Sequence, residues 1–423
     1  MNDLLIYNIG QLLLPLSAGV PLKGNEMSRL PVLEHAAFAV KDGNVSWIGP
    51  SNEGIHAAEK VDAGGKVVSP GLIDPHTHLV FAGSREDELA LKQAGTAYLD
   101  ILKSGGGILS TVSSTRKASE EELFKKAEFH LMRMLSHGVT ALEAKSGYGL
   151  DRETELRQLR IARKLQETHH IRIASTFLGP HAVPADRKGK EEEFLKEMTD
   201  LLTEIKEEGL ADFADIFCET GVFTAEQCSK FLLAAKSAGL KLKIHADEIH
   251  STGGTELAVS LGAQTADHLV AVSEEGISML AASETVAVLL PGTTFYLGKE
   301  RYAPARRLIE EGAAVALATD FNPGSCVTEN LQLIMSLAAL KLRMSAEEIW
   351  NAVTVNAAHA AGFGEEAGTL KVGGRADFTI WNIPNYRYLP YHFGVNHTDS
   401  VYIAGEKRWE GERHAGLFLS ETR

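Results

Sequence analysis

Cysteine is nearly absent: three residues in 423, Cys218, Cys228 and Cys326. An odd number in no CxxC spacing excludes a disulfide scaffold and suits a reduced, cytoplasmic chain in which all three are small core or near-core residues. Positive charge is also in short supply. With 42 Lys+Arg against 56 Asp+Glu the formal charge is -14, a field that repels polyanions, so no nucleic-acid partner is expected. Nowhere does an apolar run approach the ~20 residues that a membrane span requires. The stretch MNDLLIYNIGQLLLPLSAGV looks at first like a targeting segment, but Asp3 stands where a signal peptide carries positive charge. Asn8, Gly10 and Gln11 interrupt its apolar run, so a strand and turn are expected, in a soluble protein with no membrane partner.

What is present is material for a large core. The chain is 44% hydrophobic and 23% charged, an ordinary globular composition, and its length predicts one large domain plus a smaller one. Both ends read as β. AFAVKDGNVSWIG (37–49) sets two β-rich runs around Asp42-Gly43, a hairpin dipeptide, and GTLKVGGRADFTIWN (368–382) runs from Gly-Gly into an alternating strand. Between them, short apolar runs alternate with helical patterns such as SEEELFKKAEFHLMRMLSHG and ETELRQLRIARKLQETHH. The strand candidates are KVVSPGLIDPHTH, VTALEAKSGYG, IRIASTFLGPH, FADIFCETG, LKLKIHADE, AQTADHLV, TVAVLLPGTTF and AVALATDFNPG. Strands alternating with helices imply parallel pairing through right-handed crossovers, and this number of them predicts an α/β fold built as a (β/α)8 TIM barrel, with a doubly wound open sheet as the alternative.

Such barrels build their sites at the carboxyl ends of the strands. In order, these ends carry His76 and His78; Glu143, Lys145 and Tyr148; His181; Glu219; His245 and Glu248; His268; Thr293 and Thr294; Asp320 and Asn322. Side chains alternate faces along a strand, so His76 and His78 project to one side and can bind one ion together. His245 and Asp320 complete a set of three imidazoles and one carboxylate, suited to one Zn2+ ion per subunit, with Fe as the rival. The competing reading is that these are unrelated polar residues at strand ends.

The order PGLIDPHTH, HADE, DHL and TDFNPG resembles the amidohydrolase superfamily of metal-dependent hydrolases, over nearly the whole chain. The resemblance implies a small β-sandwich closed from both ends: 1–69, then a metal-dependent barrel over 70–366, then 367–423. The strings HTHLVFAGSRE, GGGILSTV, EAKSGYGL, KIHADE, DHLV, LLPGTTFYLG, ATDFNPGS and PYHFGVNH are similar to the branch of that superfamily that opens the ring of 4-imidazolone-5-propanoate. That resemblance implies His76, His78, His245 and Asp320 as metal ligands, Arg85, Tyr148, His181, Glu248, Asn322, Gly324 and Ser325 as contacts to a small substrate with a carboxylate, and a homodimer. Pro180 departs from the small residue expected before His181.

Chemistry assigns roles beside the resemblance. Arg85 is a natural clamp for a propionate, or else an ion-pair partner of Glu86 or Glu88; Tyr148 can reach a polar ring or pack in its loop. Glu248, His268 and Asp320 are the candidate catalytic groups: Glu248 to hold the ring nitrogens and shuttle a proton, His268 to stabilise the attacked oxygen or orient water, Asp320 to accept the water's proton. Their alternatives are a helix-start carboxylate for Glu248 and a histidine fixed by Asp267 for His268. The fourth strand end offers Glu219 where a two-metal site would carry a bridging carboxylated lysine, so one metal is expected, with Glu219 supporting it from behind. Gly105, Gly106 and Gly107 lack the strand-then-helix GxGxxG frame and read as an active-site loop, not a nucleotide site. His359, in a small-residue helix, reads as structural. An aminohydrolase of a nucleobase or related ring, and a non-catalytic barrel, are the other readings; the first lacks a use for Arg85, and the second predicts a missing metal ligand.

Overall fold

The computed structural model describes residues 1–16, 18–51, 54–94 and 106–411. One parallel sheet runs from Leu72–Asp74 through Val139–Lys145, Arg172–Phe177, Phe213–Ala214, Lys241–Ala246, Thr265–His268 and Val286–Leu289 to Val315–Leu317. Its two edges meet. The Asp320 N–H donates to the His76 carbonyl at 3.0 Å and the His78 N–H to the Phe321 carbonyl at 2.9 Å, with Thr77 and Phe321 bridged in parallel. The sheet therefore closes into the expected barrel rather than lying open.

The sequence explains the layers. Strands such as Val286–Leu289 are apolar throughout and wholly buried, as parallel strands covered on both faces must be. The helix Glu120–Ser136 starts at a capping box formed by Ser119 and Glu122, and buries Leu123, Ala127, Leu131, Met134 and Leu135 along one stripe. It ends at Gly138, whose φ of +92° and near contact with Trp381, 2.3 Å from where a Cβ would sit, admit no side chain.

The second sheet gathers both chain ends. Asn2–Leu13, Val32–Lys41, Asn44–Pro50, Ala57–Asp62 and Val67–Pro70 combine with Phe378–Trp381, Thr398–Ile403 and Glu406–Glu410. Val67–Pro70 stitches the two halves, pairing in parallel with Asn2–Leu13 and antiparallel with Phe378–Trp381. Ile6, Leu12, Phe38, Phe378 and Tyr402 share the core of this unit. The Asp42-Gly43 hairpin forms as the dipeptide predicts, with φ of 51° and 75°.

Two strand expectations are corrected. KVVSPGLIDPHTH is not one strand: Val67–Pro70 belongs to the terminal sheet and Leu72–Asp74 opens the barrel. The chain changes sheets at Gly71, where an added Cβ would lie 2.0 Å from Thr140 Oγ1. FADIFCETG breaks into Phe213–Ala214 and Phe217–Cys218, with Asp215 and Ile216 between them. Cys218, Cys228 and Cys326 are free and buried, and His359 is buried. Gly105 lies outside the described residues, whereas Gly107 caps the helix Ile108–Lys117. No described helix is long and apolar enough to cross a membrane.

Candidate active site

His76 and His78 lie just beyond the first barrel strand, their ring centroids 5.5 Å apart. His245, from Lys241–Ala246, brings its ring to 4.6 Å from that of His76. Asp320 follows the last strand, with Oδ1 3.4 Å from His76 Nε2 and 3.6 Å from His78 Nε2. His268 ends Thr265–His268 with its ring 5.1 Å from that of His245. His76, His78 and Asp320 each bring a ligand atom within 4.8 Å of the others; so do His76, His245 and His268, and likewise His78, His181 and His245.

The donor set fits a transition-metal ion. Nε2 of His76, His245 and His268 is buried without a hydrogen-bond partner among the described residues, a state that buried polar atoms rarely hold unless something binds them. Burial, reinforced by the neighbouring Lys145 ammonium for His76 and by His181 for His78, keeps both imidazoles well below their ordinary pKa and hence neutral, as ligands must be. Burial also takes His181 down to about 3 and His268 to about 4. For His245, burial is outweighed by the Asp215 carboxylate, which raises its pKa.

Behind the ligands lie groups whose part the sequence did not disclose. Asp267 Oδ2 accepts from His76 Nδ1 at 2.6 Å, and Asp215 Oδ2 lies 2.9 Å from His245 Nδ1. Asp267 therefore fixes His76, and the alternative reading in which it fixes His268 is not the one found. The Thr293 hydroxyl donates to Asp320 Oδ2 at 2.6 Å. The available signal for Asp215 was an acidic residue inside the otherwise apolar FADIF. Three non-glycine residues at the site also hold left-handed backbone: Asp247 at φ 50°, His268 at 78° and Asp320 at 55°. Such strain concentrates where the fold must aim particular side chains.

A cavity of about 510 Å³ opens over this cluster, and Arg85, Tyr148, His181, Glu248, Asn322, Gly324 and Ser325 all line it. Arg85 forms the ion pair of its alternative reading and also lines the cavity. It pairs with Glu88 through Nε at 3.0 Å and Nη2 at 2.8 Å, yet reaches the cavity beside Gly324, where a Cβ would sit 2.0 Å from Arg85 Nη1. Gly324 is thus required for the guanidinium to lie there. The His181 ring stacks on His78 with centroids 4.9 Å apart, and its Nδ1 meets the Gly147 carbonyl at 3.0 Å, which leaves Nε2 for the cavity. Pro180, in the turn Gly179–His181, is compatible with that placement. Asn322 turns inward: its amide bonds the Asp320 carbonyl, Ser325 Oγ and the N–H groups of Gly324 and Ser325, so it shapes the loop that frames Arg85.

Tyr148 is held by a buried carboxylate. Glu155 accepts from the N–H groups of Gly147, Gly149 and Leu150 at 2.8–2.9 Å. A Glu155→Ala change orphans these three donors and is expected to destabilise the protein by about 3 kcal/mol and to raise the KM through Tyr148. Denaturant unfolding checks this; an unchanged midpoint would remove Glu155 from that role.

Glu248 stands at the cavity wall, 3.8 Å from His268 Nε2, and burial pushes its carboxyl up to about 7. It does not cap a helix, since the next one begins at Gly254 after Gly253. Its loop is pinned by Glu219, which accepts from the Ile249 and His250 N–H groups at 2.9 and 3.2 Å and meets His250 Nδ1 at 2.8 Å. Lys299 and Phe217 also line the cavity, unforeseen in the sequence.

Residues 67–407 match the family model described as the amidohydrolase family. The chain is similar to the curated imidazolonepropionase of Bacillus cytotoxicus, 58% identical over 97% of this chain and 99% of the relative. That of Bacillus thuringiensis is 57% identical over the same shares. Among solved structures, a Klebsiella pneumoniae 5-methylcytosine deaminase liganded with phosphonocytosine superposes with a TM-score of 0.73 at 18% identity, covering 96% of this chain and 99% of its own. A Xanthomonas campestris adenosine deaminase with bound zinc gives 0.70 at 17%, covering 96% and 92%. At these identities the structural likeness is one of fold.

Proposed function

The chain belongs to the amidohydrolase family, and from that premise we propose how its cavity works. The protein is a hydrolase that opens the cyclic amide of 4-imidazolone-5-propanoate to N-formimidoyl-L-glutamate, the third step of histidine degradation. The observation that carries the site reading is the convergence of an arginine and a histidine cluster on one cavity. The family is metal-dependent, and His76, His78, His245 and Asp320 are the residues that would hold the ion, Zn2+ in preference to Fe. A divalent ion supplies a polarised carbonyl and a bound water whose pKa falls towards neutrality.

The protein's own groups do the rest. Arg85 receives the propionate in a charge-assisted bond, with Gly324 leaving it room. Tyr148 and His181 Nε2 flank the ring. Asp320 takes a proton from the attacking water, whose oxygen joins the carbonyl carbon and turns it into a carboxylate. His268 stabilises the charge that develops on the attacked oxygen. The C–N bond breaks, Glu248 delivers a proton to the departing ring nitrogen, and that nitrogen stays on the formimidoyl group. A nucleobase deaminase shares the fold and the cluster, but leaves Arg85 without a substrate partner. The three unpaired cysteines suit a cytoplasmic setting. A homodimer is the proposed assembly, supported by the exposed Tyr391, Phe393 and Val395 in one short segment.

The test is turnover of fresh imidazolone propionate, followed by loss of ring absorbance and by formiminoglutamate formation. Turnover that chelation abolishes and Zn2+ restores is expected. A metal-replete protein that leaves this substrate intact but deaminates cytosine or guanine would overturn the reading.

A further inference from the structure

Under the histidine cluster lies a group of charges with no access to water: Glu143, Lys145, Asp215, Lys243 and Asp267. Unpaired, any of them would be strongly destabilising, so their arrangement is informative. Lys145 Nζ lies 2.7 Å from Asp215 Oδ2, 3.4 Å from Asp267 Oδ2 and 3.1 Å from Glu143 Oε1. Asp215 Oδ2 is the same oxygen that faces His245 Nδ1, and Asp267 Oδ2 the same one that accepts from His76 Nδ1. Lys243 is differently engaged. Its ammonium meets Glu143 at 2.9 Å and the Pro75 carbonyl at 3.5 Å.

We propose that Lys145 is a positioning residue for the metal centre: one ammonium group holds the two carboxylates that set the ring orientations of His76 and His245. The inference rests on the metal-site reading above. A histidine ligand is aimed by the acceptor on its other nitrogen. Here two carboxylates, Asp215 just past the fourth barrel strand and Asp267 on the sixth, are drawn to one cation at the end of the second. Without that cation the two carboxylates repel each other in a medium of low dielectric, and each can swing its imidazole away from the common point. Glu143, bonded by the Thr176 hydroxyl and by Lys243, also pairs with Lys145.

The experiment is a titration of the metal-free protein with Zn2+ against a chromophoric chelator, together with the visible d–d spectrum of the Co2+-loaded protein; neither requires substrate. Lys145→Met is expected to weaken Zn2+ about 10–100-fold, the usual effect of removing a partner behind a ligand, and to shift the Co2+ bands. Lys243→Met, which touches neither Asp215 nor Asp267 and acts only through Glu143, should weaken Zn2+ far less than Lys145→Met does. If Lys145→Met lowers only the melting temperature, with affinity and spectrum retained, the proposal is wrong. Should Lys145→Met not fold, Asp215→Asn and Asp267→Asn decide. Coupling through Lys145 makes the double loss depart from the product of the single losses by more than about threefold, whereas a simple product overturns the idea. An unaltered protein that binds no metal would instead remove the metal-site reading itself.

Discussion

A His245→Ala protein is expected to fold, to lose metal on gel filtration, and to open the imidazolone ring at least about 10³-fold more slowly than the unaltered enzyme. The magnitude follows from the several kcal/mol of charge stabilisation a Lewis-acidic ion supplies, at about 1.4 kcal/mol per tenfold in rate. His245 Nε2 is buried with no partner among the described residues, so its removal strands nothing on the cavity side. On the other side, Asp215 keeps Lys145 at 2.7 Å and the backbone N–H groups of Ile216 at 2.7 Å and His245 at 3.1 Å. In the unaltered protein His245 and Lys145 together hold this carboxyl well below its usual range against the effect of burial; with His245 gone, Lys145 and the two N–H groups still bond it, so the fold is expected to survive the change. Elemental analysis and the formiminoglutamate assay check both parts. A variant that retains stoichiometric metal and full turnover would strike His245 from the ligand set.

Much of this architecture was readable because parallel strands buried on both faces leave continuous apolar runs, and because barrel enzymes carry their polar chemistry just past those runs. His76, His78, His245 and Asp320 announce themselves in that way. Other features escape that pattern. The run from Val67 to Asp74 carries its own break, Ser69-Pro70-Gly71, which the single-strand reading passed over; the steric reason for a glycine there lies on Thr140, far along the chain. The alternative that had Asp267 fixing His268 rested on adjacency, but alternation sends neighbouring side chains of a strand to opposite faces, and Asp267 meets His76 instead. Lys145 was legible as a strand-end residue but not as the shared partner of two carboxylates from other strands. Left-handed backbone at Asp247, His268 and Asp320 falls on residue types that visit that region more often than most, but only a minority of Asp and His residues do, so the sequence does not mark these three.

A Glu248→Gln protein is expected to keep its metal and a KM within a few-fold of the original, and to lose about 10²–10⁴ in kcat, the range for a positioned general acid or base. The amide matches the carboxylate in size and still lines the same wall, so binding survives while proton transfer does not. Burial places the Glu248 carboxyl near pH 7, where a group both accepts and releases a proton readily. Its loop does not depend on the changed group, because Glu219, not Glu248, pins Ile249 and His250. The split between kcat and KM, with metal content measured beside it, separates this role from structural damage. If Glu248→Gln turns over normally while His268→Ala does not, the proton for the departing nitrogen comes from the histidine 3.8 Å away, and the roles of the two residues exchange.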